Sequence, residues 1–390
     1  MNNKKTMKTM LFASLIAAMI LPFSGMNFAQ AEKAPDFTDY VSQYAEVDKK
    51  IRENVKSIGN DKKQLKDNSN LSSLDVETIE KRIKDKEEAN VDLWKELDRI
   101  QQLSIESYIL DEKTQAIYDN DLEKLTNNFL DEYGIYDISP STKYRKMLVF
   151  VDPSIFEDSS FNGDRNALAN ELKKTTKINV EIIFEKLTLT HSTSCTDENS
   201  ACHNPGKGGI SVSHQSSTGV GNTLGFKALH PTFGSGFVIT EHEVPNGTEQ
   251  VVQPLSTGGV IGQAKVAPSG TCDCAFIQFT GGHYMNDEIW APDFGTIYPV
   301  ETRNIAATPA GTIVAIDGVG GVGFYGAVDY ENDHSGKFAG TASPGDSGSA
   351  VFKPLVNGNA DIYGIAKGTT GGYTFYEPYD HIKDQLGLTW

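Results

Sequence analysis

The sequence predicts a mainly β protein whose front part is helical. Residues 191–390 hold 32 glycines and only 8 lysines and arginines, whereas residues 32–190 hold 3 glycines and 24 lysines and arginines. Glycine-poor chain can run in long helices; glycine-rich chain with frequent Thr and Val is turn-rich and reads as many short strands. Runs such as "NTLGFKAL", "GSGFVIT", "CAFIQF", "GTIVAID" and "YGIAKG" then predict an all-β barrel or sandwich after about residue 190, closed by one helix in "YDHIKDQLGL".

The elements follow in chain order. Lys4, Lys5 and Lys8, the apolar stretch Met10–Pro22 and the small-x-small triplet Ala29-Gln30-Ala31 read as a leader at 1–31, cleaved after Ala31 during export. No later stretch reaches the roughly 18 apolar residues that a spanning helix needs. The exported chain is expected in the medium or at the cell surface. The full sequence of 390 residues suffices for two to three domains, and its net charge of -17 argues against nucleic acid and acidic membranes as partners.

Residues 32–140 read as a helical region. Val41, Tyr44, Val47, Ile51, Val55 and Ile58 recur at helical spacing, Gly59-Asn60 is expected to interrupt that helix, and Ser72-x-x-Asp75 offers a fresh start. Its charge runs, such as "KRIKDKEE", are solvated helix faces. Residues 141–205 read as a small α+β unit with a junction: strand "KMLVFVDP", helix Asn166–Lys174 and strand "INVEIIFEKL".

Chemistry concentrates in residues 206–390. In "SPGDSGSAVF", Ser347 is flanked by glycines that permit a loop presenting the N–H groups of Gly345 and Ser347 to an oxyanion. A serine needs a base. "GSGFVITEHE" ends a strand on His242, and "TCDCAFIQF" opens one at Asp273; His, Asp, Ser in this order, each at a strand end, is the arrangement of the two-barrel serine proteases.

On these residues, and on "LGFKA" and "TFYEPYDHIKDQLGL", the segment resembles the chymotrypsin-fold serine endopeptidases, in particular the secreted bacterial streptogrisin and alpha-lytic protease type. The resemblance implies two six-stranded antiparallel barrels with the site between them, and a polypeptide substrate. It also implies that residues 32 to about 205 are a pro-region, the chain's own partner. His242 would be the general base, Asp273 its orienter and Ser347 the nucleophile. Glu241 and Glu243 depart from the family's small residue and Cys beside the histidine, and should raise the His242 pKa. Lys367 stands where the family carries Ser beside the aspartate; it is expected either to pair with Asp273 or to turn outwards. Thr341 and Gly368-Thr369 fall where the family reads side chains, which suggests a neutral, small or medium apolar residue before the scissile bond, unless Lys367 reaches the pocket and draws acidic side chains.

Four cysteines, Cys195, Cys202, Cys272 and Cys274, allow three pairings. Cys195–Cys202 is the simplest; a direct 272–274 bridge is awkward in an extended strand, and the junction cysteines could instead tie to 272 and 274. Their spacing does not match common zinc sites, and no metal or cofactor is implied. The reading is a secreted serine endopeptidase made as a zymogen and processed near "NPGKGGISV"; the alternative is a catalytically impaired, protease-like binding protein.

Overall fold

Helical periodicity in the front part resolves into α1 (Phe37–Asp67) and α2 (Ser73–Tyr108). These are seen in a computed structural model that describes residues 37–68, 71–129, 134–157, 165–185, 206–215, 221–253, 259–268 and 270–389. All fall in one unit, Pro35–Trp390, and among them no helix is long and apolar enough to cross a membrane. Cys195, Cys202, the leader and the proposed processing loop up to Pro205 lie outside the described residues.

Contrary to expectation, α1 runs straight through Gly59-Asn60. A helical glycine costs about 1 kcal/mol relative to alanine. Here Ile58 just before it packs on Ile79 and Ile83, while Asp61 just after it accepts from Arg82 Nε at 2.9 Å, so tertiary contacts on both sides hold the turn. The start of α2 is as read: Ser72 Oγ accepts from the Asp75 N–H at 3.2 Å and Asp75 returns the bond to the Ser72 N–H at 3.3 Å.

The small α+β unit contains more than its sequence shows. α3 (Glu112–Phe129) and α4 (Arg165–Thr175) cover a three-stranded sheet of β1 (Ile135–Ser141), β2 (Lys146–Val151) and β3 (Val180–Phe184), in that order. β2 is central and apolar at every position but its first because both its faces are covered. Met147, Val149 and Val151 face the core shared with α3 and α4, whereas Leu148 and Phe150 pack on Tyr373 and Phe375.

The β half forms two sheets. β5 (Ser211–His214), β6 (Asn222–Thr223), β7 (Phe226–His230), β8 (Gly234–Ile239), β9 (Gln250–Gln253), β10 (Gly259–Val266) and β11 (Ala275–Phe279) make a curled sheet ordered β6-β5-β9-β10-β11-β8-β7. Next come β14 (Ile313–Ile316), β15 (Phe324–Glu331), β16 (Gly336–Ala339), β17 (Ala350–Pro354), β18 (Ala360–Thr370) and β19 (Tyr373–Pro378). They run β17-β14-β15-β16-β19-β18 and close through β17–β18 into a six-stranded barrel. The expected double barrel is thus present as one closed barrel and one curled sheet of seven strands. It is not purely antiparallel: β12 (Met285–Ala291) pairs in parallel with β4 (Gly206–Gly208), and β13 (Thr296–Arg303) with β18. The closing helix is α5 (Tyr379–Leu386), capped by Gly387 at φ 65°.

The helices dock on the closed barrel through buried polar contacts. Gln101 acts as a surrogate peptide group beside β14: its Oε1 accepts from the Ile313 N–H at 3.0 Å and its Nε2 donates to the Gly311 carbonyl at 3.3 Å. Asp48, 1% exposed, accepts from Tyr325 Oη at 2.7 Å and Arg52 Nε at 2.6 Å. Asp48→Ala orphans both donors and is expected to lower the urea-unfolding free energy by about 1–3 kcal/mol. Lys62→Ala, which removes an exposed pair with Glu87, should change it by less than about 1 kcal/mol in the same titration.

Candidate active site

Strand pairing brings the sequence-distant acid and base together. β8 and β11 are antiparallel with Ile239 opposite Ala275, so the chain leaving β8 lies beside the chain entering β11. His242 sits in the helical turn Glu241–Glu243 just after β8, and Asp273 in a bend just before β11. Asp273 Oδ2 lies 2.8 Å from His242 Nδ1, and Oδ1 also accepts the His242 backbone N–H at 3.0 Å. One carboxylate thereby fixes both the ring and the peptide that carries it.

The bend also changes the cysteine chemistry. Asp273 is not the first residue of an extended strand, as expected, so the Cα atoms of Cys272 and Cys274 approach to 5.2 Å and the two form a disulfide around it. A link from either of them to the junction is excluded by this pairing.

Burial in the cleft pushes the His242 pKa down, but the hydrogen bond and charge of Asp273, then the charges of Glu243 and Glu241, outweigh it. The imidazole is held above its ordinary 6.5. The expected effect of the two flanking glutamates is therefore present. Glu241 is itself pushed up, by partial burial and by the Asp273 charge.

Ser347 lies in the loop between β16 and β17, where two glycines take conformations that side chains disfavour, Gly345 at φ 103° and Gly348 at φ 86°. Thr223 ties this loop to the first sheet: its N–H donates to the Ser347 carbonyl at 2.9 Å and its hydroxyl to the Gly345 carbonyl at 2.7 Å. A Cβ at Gly348 would lie 2.1 Å from the Thr223 carbonyl oxygen and 3.8 Å from the Thr240 nitrogen, so the loop passes close beside the histidine turn. Asp346 accepts from the N–H groups of Ser343 at 2.8 Å and Gly320 at 2.9 Å; burial pushes its pKa up to about 6. Ser347 is fully buried, and its hydroxyl donates to the Lys367 carbonyl at 3.3 Å.

Lys367 follows neither expected course. Its side chain is 16% exposed and pairs with Glu377, Nζ to Oε1 2.9 Å, rather than with Asp273 or solvent. Glu377, which sequence reading passed over, also accepts from the Asp273 N–H at 3.2 Å and lies 3.0 Å from His381 Nδ1. Its one sequence signal is a lone acid in an otherwise apolar strand, "YTFYEP". Thr341 and Gly368-Thr369 come to either side of Thr374: Ala342 N–H donates to Thr374 Oγ1 at 3.0 Å, and Thr369 is its partner across β18–β19. The Thr369 hydroxyl is spent on the Tyr373 carbonyl at 2.8 Å, and Thr341 is exposed. A cleft of about 630 Å³ opens beside the pair, lined by His242, Asp273, Lys367 and Glu377, and on its other side by Tyr136 and Asp137 of the small sheet.

The closed barrel and the curled sheet, with the His-Asp pair carried just after β8 of the latter, are the mainly β, double-sheet architecture expected from the sequence. No family model and no curated protein matches the chain. Among solved structures it is similar to a glutamic acid specific serine protease that utilizes a histidine triad in substrate binding, with 18% identity over 47% of this chain and 98% of that one, TM-score 0.40. It is also similar to a Nocardiopsis protease, at 21% identity over 47% and 96% with TM-score 0.39. A Cellulomonas bogoriensis chymotrypsin matches at 21% identity over 47% and 96%, TM-score 0.38.

The contact at Gly348 gives a direct test of the loop. Gly348→Ala places a methyl group against the Thr223 carbonyl at a φ that alanine disfavours, and is expected to lower the unfolding temperature by several degrees. Gly358→Ala, also at positive φ but with nothing within 4 Å, should lower it less by differential scanning calorimetry.

Proposed function

We propose that the chain is an exported serine endopeptidase made as a zymogen. The observation that carries this is the His242–Asp273 contact at 2.8 Å beside a glycine-framed loop bearing Ser347. In the proposed reaction Ser347 Oγ attacks the scissile carbonyl and passes its proton to His242 Nε2. Asp273 holds the Nδ1–H and offsets the positive charge that forms on the ring. The N–H groups of Gly345 and Ser347 stabilise the oxyanion, and the protonated imidazole then gives its proton to the leaving amine. Water, activated by the same imidazole, releases the acyl group.

Full burial of Ser347 and the packing of the front part against the barrel support a zymogen in which residues 32 to about 205 are the pro-region. A leader at 1–31 and cleavage near residue 205 complete the reading, with a polypeptide as substrate. A specific observation favours a second reading, a protease-like binding protein: the Ser347 hydroxyl is donated to the Lys367 carbonyl, and acidic side chains flank the base.

A fluorophosphonate separates the two. The processed chain should gain one adduct by intact-mass spectrometry, lost in Ser347→Ala, and that variant should lose peptide hydrolysis by at least about 10⁴-fold. A folded, processed chain without an adduct would establish the binding reading. Only the neutral imidazole accepts a proton, so hydrolysis should rise with pH through a midpoint above 6.5. Glu243→Gln removes one charge that stabilises the imidazolium and should move that midpoint down in the pH profile of kcat/KM.

A further inference from the structure

Lys367 occupies a break in the β18–β19 ladder. The register shifts between Ala366 and Gly368, so its backbone and side chain serve different partners. The carbonyl accepts from Ser347 Oγ at 3.3 Å, while the ammonium reaches Glu377 on β19 at 2.9 Å. The Glu377 carboxylate takes three contacts: Lys367 Nζ and the Asp273 N–H on Oε1, and His381 Nδ1 of α5, 3.0 Å away, on Oε2. A continuous polar path therefore joins Ser347, Lys367, Glu377, Asp273 and His242.

A buried ion pair is a poor way to gain stability, because desolvating both charges consumes most of the attraction. Retaining one under an aspartate that must stay ionised and unshared has another use. We propose that Glu377 is a positioning residue for the Asp273–His242 pair, holding the Asp273 backbone and drawing the Lys367 ammonium away from the Asp273 carboxylate. The inference rests on the reading of these residues as a catalytic site. Burial raises the Glu377 pKa, but the Lys367 charge and the bonds from His381, Lys367 and Asp273 outweigh it and carry it down to about 2, so the carboxylate is charged whenever His242 titrates. Asp273 is the next carboxylate after Glu377 in its effect on the Lys367 ammonium. Freed from Glu377, that cation would act on Asp273 and disfavour a charged imidazole.

The charged and titratable groups around His242 come from several elements. Glu241 and Glu243 lie on its own turn, Asp273 ahead of β11, Lys367 on β18, Glu377 on β19 and His381 on α5. Across the cleft stand His334, Asp137 and Asp152. Only Lys367 carries a fixed positive charge among them, so its placement sets the sign of the effect.

The test is the His242 titration, followed by NMR of ¹⁵N-histidine-labelled full-length chain carrying Ser347→Ala, which needs no turnover. Glu377→Gln keeps an acceptor for the Asp273 N–H and should lower the His242 midpoint by about one pH unit. Lys367→Met should leave it at or above the parent value, and the double variant should return it close to the parent. An unchanged midpoint in Glu377→Gln, or a double variant that stays low, overturns the proposal. Should Glu377→Gln fail to fold, a Lys367→Met midpoint below the parent overturns it instead. A missing fluorophosphonate adduct would sink the protease reading and leave this titration interpretable.

Discussion

The seam between β17 and β18 is the pairing on which the rest depends. Ala350 lies opposite Ile365 and Val351 opposite Gly364, and through this contact the second sheet becomes a closed barrel. The seam extends as backbone hydrogen bonds into the serine loop, where Gly348 N–H meets the Ala366 carbonyl at 2.8 Å and Ala366 N–H meets Ser349 at 2.9 Å. The loop conformation is thus a continuation of sheet structure and not an independent turn. The seam also seats Lys367, whose carbonyl meets the serine hydroxyl, and it buries Phe352 against Phe294 and Tyr298. The pairing itself is local, since β17 and β18 are joined by the turn Leu355–Asn359; the sequence-distant pairing of β17 is with β14, Ala315 opposite Phe352, and that one is slow to form because the intervening chain must be closed first.

How far the molecule was legible in its sequence depends on the range of the interaction involved. Local chemistry read correctly: the Ser72–Asp75 cap needs only three-residue spacing, and the helix expected in "YDHIKDQLGL" is α5. The strand over "KMLVFV" was visible, and so were the strand ends that bring His242 and Asp273 together. Gly59-Asn60 misled because propensity was outweighed by contacts to another helix. β1 was missed because it contains Pro140, which ordinarily argues against a strand; it is tolerated because β1 is an edge strand. Glu377 could not be assigned a role at all, since its partners come from three other parts of the chain.

Buried charge recurs wherever two parts of the fold meet. Lys337, 1% exposed, lies 4.0 Å from Asp329 within the barrel and is hydrogen-bonded to Ser139 of the small sheet. The rings of Phe150 and Tyr373 stand 5.4 and 5.3 Å from its ammonium. Desolvation pushes its pKa down, opposed by Asp329 and Asp137, and burial pushes both of those carboxyls up. Asp317, beneath the serine loop, is carried up to about 8 by burial and by Asp293.

The double-sided burial of β2 bears on how the two halves can part. Its outer side chains, Leu148 and Phe150, are sealed against Tyr373 and Phe375 on the hairpin that carries Glu377, and Glu185 beyond β3 accepts from the Gly371 N–H at 2.7 Å. None of these contacts depends on an unbroken backbone between the halves. The association of the β2 side chains with the hairpin is therefore a matter of apolar area kept from water rather than of chain connectivity.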